Sequence, residues 1–431
     1  MTLPLAAFVL TLIVAGPQTS AAPSPDTEAR IAAVEQEMLA WRRHLHAHPE
    51  LSNREAETAT YIAARLRAFG LEPRTGIARH GVTAVLRGAK DGPVVALRAD
   101  MDGLPVTEET GLPFASRATA EYGGRTVGVM HACGHDTHMA MLLAAAKVLA
   151  ALRDTLPGTV VFIFQPAEEG VAQEEQPAGA QLMVAEGVLK DPQVDAIVGL
   201  HVFANIPSGH LTWRSGPVMA ASDRFDILVR GTQTHGANPW QGVDPIVTAA
   251  QIVTALQTIV SRSLDITQQP AVVTVGRFEG GNRNNIIPDS ARLEGTIRTF
   301  DPEMQREIHA RLARIAGSIA EAAGGTAEVR VEVGNPVTTN DPALMERMLP
   351  TLRRVFETRL QEGSKLTTAE DFSRFQQHVP GLFLMLGITP ADQVGKAASN
   401  HSPRFMVDES ALLNGVRALV HLTLDYLGGQ Q

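Results

Sequence analysis

Short apolar runs alternate with segments of helical periodicity along the first half of the chain. One helix is predicted from about Asp26 to His46 and another from Asp136 to Leu152. Between them, Ser52 and Glu55 have the spacing of a capping box for a helix that should end at Gly70. The apolar runs predict strands at Val82 to Leu86, Val94 to Arg98, Val160 to Phe164 and Ala196 to Leu200. This alternation predicts an α/β fold with a mostly parallel sheet.

The order of predicted strands and helices changes in the second half of the chain. Two predicted helices, Asp244 to Ser261 and Pro302 to Ala323, lie between strands in the order βαββαβ, which is typical of a compact α+β unit. The strands are Phe225 to Val229, Val272 to Phe278, Ala291 to Ile297 and Ala327 to Val333. Helix and strand then alternate again, at Met345 to Glu357, Gly381 to Leu386 and Ser410 to Leu427. We predict a larger α/β domain, residues 23–216 and 335–431, interrupted by a smaller α+β domain, residues 217–334.

The composition is that of a globular protein large enough for two domains. Of the 431 residues, 44% are hydrophobic and 19% are charged, which argues against disorder. The formal net charge is -9 and no strongly basic run is present. Nucleic acid is therefore not an expected partner, because phosphate binding needs concentrated Lys and Arg.

The first 22 residues resemble a secretory signal. Leu3 to Ala15 is almost continuously apolar, and small residues follow up to a cleavage site near Ala21 or Ala22. The basic residue that usually precedes the apolar core is missing. The run is shorter than the roughly 20 residues of a membrane span. We predict a signal peptide at residues 1–22, export to the periplasm or the medium, and no stable membrane span after processing.

The segment HACGHDTH, His131 to His138, contains the only cysteine of the chain. Cys133 therefore cannot form an intrachain disulfide, and a thiolate two positions from the His135 imidazole indicates metal binding. An isolated buried cysteine is most often a small core hydrophobe. The neighbouring histidines and the apolar helix that follows favour a metal site here.

Polar side chains also follow several predicted strands: Asp100 and Asp102, Glu168 and Glu169, and His201. The carboxyl ends of parallel strands meet at one edge of a sheet, so we expect these groups to converge with the thiol and imidazole of HACGHDTH. Such a mixed set suits zinc, manganese, cobalt or nickel better than calcium or magnesium. Taken alone, the EEG segment with Glu168 and Glu169 would suit a solvated turn equally well. His201 alone would more often be a core histidine than a metal ligand.

A second histidine pair is not assigned to the site. His44 and His48 are four residues apart on a predicted helix, a spacing that can bind zinc, but no Glu follows the first His as in HExxH. Together with Arg42 and Arg43 they are interpreted as a solvated or packing face.

Several motifs occur in an order that resembles a known enzyme family. They are ALRADMDGLP, MHACGHDTHMAMLL, FQPAEEG, GLHV, THGANP, NIIPDSARLEGTIRTF and NHSPRF. From about Trp41 to the C-terminus, the chain resembles the metal-dependent amidohydrolases of the aminoacylase and carboxypeptidase-G superfamily, in the branch of hippurate and auxin-conjugate hydrolases. The resemblance implies that the larger domain is catalytic and binds metal, and that the smaller domain serves as a lid and in dimerisation.

The resemblance also implies residue roles. The positions that match metal ligands of two divalent ions are Cys133, His135, Glu169, His201 and His401. Cys133 stands where other branches have a bridging aspartate. Glu168 matches the general base, and His235 matches a histidine that reaches into the partner's active site in dimeric relatives. Asn285 and Arg298 match substrate-binding positions, the Arg being suited to a carboxylate. Asn285 is equally well explained as a turn residue.

Some positions depart from the family pattern. TTAEDF, Thr367 to Phe372, replaces the usual GxEDF, so the pocket wall is expected to differ. Glu174 and Glu175 are additional acidic residues with a possible effect on substrate preference. Asp100 replaces a metal-binding histidine of other branches and is only a possible ligand, whereas Asp102 is expected to orient a ligand.

The implied reaction is metal-dependent hydrolysis of the amide bond of an N-acyl amino acid. Glu168 is expected to take a proton from metal-activated water and pass it to the leaving amine. An exported dipeptidase or carboxypeptidase of the same superfamily is an alternative. A metal-binding or solute-binding protein without catalysis is a further alternative, which the free base beside Glu169 disfavours. The expected partners are a small N-acyl amino acid or dipeptide and a second copy of the chain in a homodimer.

Overall fold

The computed structural model describes residues 24–428 of the chain. The predicted signal peptide, residues 1–22, lies outside the described residues, and export stays a prediction. Among the residues that the structure describes, no helix is both long enough and apolar enough to cross a membrane.

Within residues 24–428 the chain forms ten α-helices: α1 (Pro25–Ala33), α2 (Glu35–Ala47), α3 (Ala56–Ala68), α4 (His135–Ala151), α5 (Gly179–Ala185), α6 (Pro245–Thr258), α7 (Pro302–Ala322), α8 (Pro342–Phe356), α9 (Ser373–Gln376) and α10 (Leu412–Gly428). The same range contains eighteen strands: β1 (Pro73–Ile77), β2 (Gly81–Arg87), β3 (Lys90–Asp100), β4 (Thr119–Tyr122), β5 (Arg125–Gly128), β6 (Pro157–Gln165), β7 (Ala196–Pro207), β8 (Leu211–Trp213), β9 (Gly216–Met219), β10 (Ala221–Arg230), β11 (Thr234–His235), β12 (Ala271–Gly280), β13 (Ile286–Ile287), β14 (Ser290–Thr299), β15 (Thr326–Val333), β16 (Thr338–Asn340), β17 (Leu360–Glu362) and β18 (Gly381–Thr389).

Eight of these strands form one large sheet in the order β1-β2-β6-β3-β7-β18-β8-β17. The central neighbours β6, β3, β7 and β18 are parallel, as are β8 and β17. The remaining neighbours pair antiparallel. The prediction of an α/β fold with a mostly parallel sheet is confirmed. Asp100 is in register with Gln165, and Arg98 with Gly199, so β3 and β6 end at the same edge, where β7 carries His201 and continues to Pro207.

Helices cover both faces of the large sheet, which explains why its central strands are continuous apolar runs. On one face, α1 to α4, α8 and α10 contribute to the largest hydrophobic core, including Met38, Leu142 and Val416. On the other face, α5 and α9 bury Met183 and Phe375. Helix α4 is buried along almost its whole length, so the residues at its start are held by a rigid element.

A second sheet has the order β12-β14-β10-β15, with every neighbouring pair antiparallel. Its apolar face packs on α6 and α7 through residues such as Phe225, Ile252, Leu293 and Leu312. The chain order β10-α6-β12-β14-α7-β15 confirms the predicted βαββαβ arrangement. Strands β11 and β13 form a separate two-stranded ribbon. The division of the chain into domains at residues 217 and 334 stays a prediction.

The predicted capping box was wrong. Helix α3 begins at Ala56, its N-cap is Glu55, and no side chain caps it. Ser52 Oγ instead donates to Asp102 Oδ2 at 2.6 Å, and Glu55 Oε1 accepts from the Ala167 N–H at 2.8 Å. Both side chains therefore bind residues that are distant in the sequence, and neither is left for the first turn of the helix.

The other helix boundaries agree closely with the pattern. The helix predicted from Asp26 to His46 is divided at Val34 into α1 and α2. Helix α3 ends just before Gly70, which has a φ of 75°, as expected of a glycine that follows a helix.

Candidate metal centre

Cys133 and His135 lie on the sharp turn that begins α4. Gly134, between them, has a φ of 92°, in the left-handed region that favours glycine. A Cβ atom at Gly134 would stand 2.4 Å from Val202 Cγ2. The Thr137 hydroxyl closes the turn by donating to the Gly134 carbonyl oxygen at 2.6 Å. Backbone conformation and packing both require glycine at this position.

The structure brings the five predicted ligands together. Cys133 Sγ lies 3.4 Å from His201 Nε2 and 3.2 Å from His401 Nε2. Glu169 Oε1 lies 3.3 Å from His401 Nε2 and 3.9 Å from His135 Nε2. Side chains from the start of α4, the loop after β6, strand β7 and the loop before α10 thus meet at one point of the sheet edge.

The atoms of this cluster fit divalent metal ions. Within residues 24–428, buried His135 Nε2 meets no hydrogen-bond partner of good geometry, and buried Glu169 Oε1 has only the ion-pair contacts with His401 and His135. Buried polar atoms without partners are costly, and a cation would take up their lone pairs. Two ligand atoms at about 2.0–2.3 Å from one tetrahedral ion stand roughly 3.3–3.7 Å apart. The distances of Cys133 Sγ from the two histidine nitrogens are close to this range.

The pKa shifts of His201 and Cys133 also favour a cation. Burial and the neighbouring His138 hold the pKa of His201 well below its usual value. Its Nδ1–H donates to the Val202 carbonyl oxygen at 2.8 Å, which leaves Nε2 free as a ligand atom. Burial and the Glu169 carboxylate raise the pKa of the Cys133 thiol. A thiolate ligand at this position therefore needs a nearby positive charge.

A second group of carboxylates lies beside the predicted ligands. Oxygen atoms of Glu168, Glu370 and Asp371 lie within 4.8 Å of one another. Burial, Glu370 and Glu169 raise the pKa of Glu168 well above its usual value. The positively charged side chain beside this group is Arg98. Its Nη2 donates to Glu370 at 2.9 Å and to Asp371 at 3.1 Å.

Asp100 contacts two residues beside the predicted ligands, Arg98 and His138. Its Oδ2 accepts from Arg98 Nη1 at 2.7 Å, and its Oδ1 lies 2.6 Å from His138 Nδ1. The other ring nitrogen of His138 accepts from the Val202 N–H at 2.9 Å. Asp100 Oδ2 is 3.8 Å from His135 Nε2, but both Asp100 oxygens are already engaged. We therefore interpret Asp100 as the residue that orients His138.

Asp102 has the orienting position expected from the sequence. Its Oδ1 lies 3.3 Å from His135 Nδ1, and its Oδ2 accepts from the Glu169 N–H at 3.0 Å. One buried carboxylate thus fixes two of the predicted ligands. His401 is held by its own backbone, whose N–H donates to the Ala132 carbonyl oxygen at 2.8 Å.

Sequence reasoning missed the buried network around Arg98. Its Nε donates to Gln165 Oε1 at 2.8 Å, and Gln165 Nε2 donates to Asp371 at 2.8 Å. A usable signal was present, because an arginine in the apolar strand VVALR must find acidic partners if it is buried. The sequence does not show which acids these are, since Glu370 is 272 positions away.

The three remaining predicted site residues fall in two places. Arg298, on β14, lines the same cleft as Glu168. His235 and Asn285 are exposed neighbours on the ribbon of β11 and β13, where the Gly236 N–H donates to the Asn285 carbonyl oxygen at 2.8 Å. Neither His235 nor Asn285 is among the described residues that line this cleft.

A mostly parallel sheet that ends in a cluster of thiol, imidazole and carboxylate groups, with a further carboxylate beside it, defines a metallohydrolase. Residues 96–425 match the model of peptidase family M20/M25/M40. The chain belongs to this family. The predicted resemblance and the assignment as a hydrolase are thereby confirmed.

Relatives of known name cover most of the chain. An N-acetyl-L-cysteine deacetylase of Bacillus subtilis is 38% identical over 383 residues, which cover 89% of this chain and 86% of the relative. A thermostable carboxypeptidase of Saccharolobus solfataricus is 39% identical over 393 residues, covering 91% and 95%. A solved structure from Bacillus subtilis, described as a dinuclear metal binding peptidase of the M20 family, is similar with a TM-score of 0.78 and 34% identity, covering 92% of this chain and 99% of that one.

Replacing Gly134 by alanine should lower the free energy of unfolding by about 2–5 kcal/mol. The left-handed backbone costs a residue with a Cβ about 1–2 kcal/mol, and overpacking against Val202 typically adds about 1–3 kcal/mol. Gly187→Ala is the matched control, because Gly187 has a φ of 82° but its nearest neighbour, Lys190 Cδ, would be 3.8 Å away. Urea unfolding should show the smaller loss for Gly187→Ala, and equal losses would contradict the clash.

Replacing Cys133 by serine should weaken metal binding by more than the about 10- to 100-fold typical of residues that only support a ligand. A hydroxyl group is a much poorer ligand than a thiolate for the metals expected here. Chelator competition followed by elemental analysis measures the change, with circular dichroism as the check on folding. Unchanged metal affinity would reduce HACGHDTH to a packing motif.

Proposed function

We propose that this protein hydrolyses the amide bond of N-acyl amino acids with the help of divalent metal ions. The observation that carries the proposal is that two adjacent carboxylates of the same cleft have different neighbours. Glu169 faces the ligand nitrogen of His401, whereas Glu168 lies beside Glu370 and forms no hydrogen bond among the described residues. One carboxylate is thus placed to hold a cation while its neighbour remains able to move a proton.

In the proposed reaction, different side chains of the cleft bind the metal ions and transfer the proton. Divalent cations at the five predicted ligands would polarise the substrate carbonyl and make water a better nucleophile. Glu168 accepts the proton of the attacking water and later donates it to the leaving amine nitrogen. Its carboxylate lies within 4.8 Å of the ligand atoms of His135 and Glu169, so the proton carrier is next to the reacting groups. We propose zinc, manganese, cobalt or nickel as the metal.

The cleft has the size and lining that a small acylated amino acid requires. Its volume is about 850 Å³, within the usual range for small-molecule sites. Arg298 is half-buried and makes no ion pair among the described residues, so its guanidinium fork is available to a substrate carboxylate. Phe203 and Met219 provide an apolar wall for the acyl group.

A carboxypeptidase activity is the second candidate, because a relative of that name is as similar to this chain as the deacetylase. A peptide with a free C-terminus offers the same carboxylate to Arg298. The two functions differ in the group on the other side of the scissile bond, which is an acyl group in one case and an aminoacyl group in the other.

We further propose that the active form is a homodimer in which His235 and Asn285 serve the partner's cleft. Both residues are exposed and lie away from the cleft of their own chain. Strand β12 is an edge strand of ten residues, and Val272 and Phe278 on it are 38% and 43% exposed. An unprotected edge with apolar side chains favours pairing with a second copy.

Glu168→Gln should lower kcat by about 10²- to 10⁴-fold, because the proton carrier is lost, and should retain metal, because Glu169 is unchanged. The assay is a panel of acetyl-, benzoyl- and indoleacetyl-amino acids and dipeptides, combined with elemental analysis. Glu174→Gln, at an exposed position of the same segment, is the matched control with expected wild-type rates. Near-normal turnover in Glu168→Gln would refute the assigned role, and preferential cleavage of the peptides would favour the carboxypeptidase.

Two inactive variants should restore activity to each other if His235 acts across the dimer. A mixed dimer of His235→Ala and Glu168→Gln subunits contains one cleft with both native residues. Co-expression in equal amounts should therefore give about one quarter of wild-type activity. Activity no higher than that of the separate variants, despite mixed dimers seen by native mass spectrometry, would place His235 in the cleft of its own chain.

A further inference from the structure

Four consecutive residues, Ser52 to Glu55, end the connection between α2 and α3 and form what we call the SNRE turn. Each of the four side chains forms a hydrogen bond with Asp102 or with a residue of the segment that contains Glu168 and Glu169. No cofactor role or substrate role was predicted for this turn, whose pattern suggested only a helix cap. Its hydrogen bonds reach three separate points on or beside the segment of residues 166–175.

The first point is the backbone immediately before the catalytic pair. Glu55 is fully buried, and its Oε1 accepts from the Ala167 N–H at 2.8 Å. Ala167 is also buried and has a φ of 54°, a left-handed conformation that alanine rarely adopts. The next two residues are Glu168 and Glu169. The hydrogen bond accepted by Glu55 therefore fixes the backbone bend that places both carboxylates in the cleft.

The second point is Asp102, which holds Glu169 and His135. Ser52 Oγ donates to Asp102 Oδ2 at 2.6 Å, the same oxygen that accepts from the Glu169 N–H. Asp102 Oδ1 faces the His135 ring. The turn thus contacts the predicted ligands through a single intermediate carboxylate.

The third point is Glu175, at the far end of the segment. Asn53 Nδ2 donates to Glu175 Oε2 at 2.9 Å, and Arg54 Nη2 donates to Glu175 Oε1 at 2.7 Å. The hydrogen bonds from Arg54 and Asn53 lower the pKa of Glu175 to about 2. Glu175, one of the additional acidic residues of this segment, is thereby engaged with the turn and not directed at a substrate.

We propose that Glu55 is a positioning residue, which holds Ala167 in its left-handed conformation so that Glu169 faces His401 and Glu168 lies beside Glu370. Its kinetic consequences rest on the proposed function, but its effect on metal binding does not. The role requires an acceptor oxygen and no charge. Burial and Asp102 raise the pKa of Glu55 to about 8, so an uncharged glutamine is a close substitute.

The chain offers a matched control for this hydrogen bond. Glu186 Oε2 accepts from the Ala78 N–H at 2.7 Å, and Ala78 is a buried alanine with a φ of 47°. The chemistry is the same as that of Glu55 with Ala167, but Ala78 lies in the turn between β1 and β2 and carries no predicted ligand.

The experiment compares Glu55→Ala, Glu55→Gln and Glu186→Ala by zinc and manganese titration, kcat, KM and thermal unfolding. Glu55→Ala should lose about 10- to 100-fold in metal affinity and in kcat, the range typical of residues that support ligands, with KM little changed. Glu55→Gln should keep nearly wild-type values. Glu186→Ala should lose stability only. Native metal affinity and kcat in folded Glu55→Ala, or equal impairment of Glu55→Gln, would overturn the proposal.

A double variant tests the conformational part of the proposal and covers a poorly folding Glu55→Ala. Glycine adopts positive φ without strain, so Ala167→Gly combined with Glu55→Ala should recover part of the metal affinity and kcat. Absence of any recovery would overturn the role of Ala167. If the wild-type protein cleaved none of the substrates, the proposed function would fail, while the zinc and manganese titrations would still decide the role of Glu55.

Discussion

The excess of carboxylates at the carboxyl edge of the large sheet is the constraint on which the rest of the structure depends. The groups that meet there are Asp100, Asp102, Glu168, Glu169, Glu370 and Asp371. Arg98 is buried among them and forms ion pairs with three. Uncompensated buried charges of like sign are strongly unfavourable. Arg98 balances only part of this set, and the raised pKa values of His135 and His401 show that further positive charge is favoured at the Cys133 cluster, where divalent cations also fit the geometry.

Backbone strain is found in the segments that carry the predicted ligands. Three segments that carry predicted ligands contain a residue with positive φ: Gly134, Ala167 and His401. A non-glycine residue in this conformation costs on the order of 1–3 kcal/mol. At Ala167 and His401 the cost is offset by backbone hydrogen bonds to Glu55 and Ala132, each of 2.8 Å. The strands lead the chain to the carboxyl edge of the large sheet. The turns at these three residues then direct the side chains of the predicted ligands toward one point.

The elements and ligands that were predictable are those with a local signal. Buried parallel strands are recognisable as apolar runs, and their ends place Glu169 and His201 at a common edge. The role of Ser52 and Glu55 was misjudged because a capping box and a long-range anchor have the same local spacing. Whether Asp100 is a metal ligand was left open for a similar reason. A carboxylate at the end of a strand can bind a metal or orient another side chain, and its hydrogen-bond donors decide which. For Asp100, the donor Arg98 is on the same strand, but the second partner, His138, is identified only by the packing of β3 against α4.

The division of the cleft between two sheets has a consequence for substrate selection. Glu168 follows the large sheet, whereas Arg298 is on the second sheet in register with Ser222. Ser222 is fixed to the returning chain, since its N–H donates to the Asn335 carbonyl oxygen at 2.9 Å and its Oγ accepts from the Asn335 N–H at 3.2 Å. A substrate bound by Arg298 and attacked beside Glu168 must span the two sheets. If Arg298 binds the substrate carboxylate as proposed, the connection at Ser222 and Asn335 and the bond from Arg374 to the Gly334 carbonyl oxygen help to set the separation between that carboxylate and the amide bond.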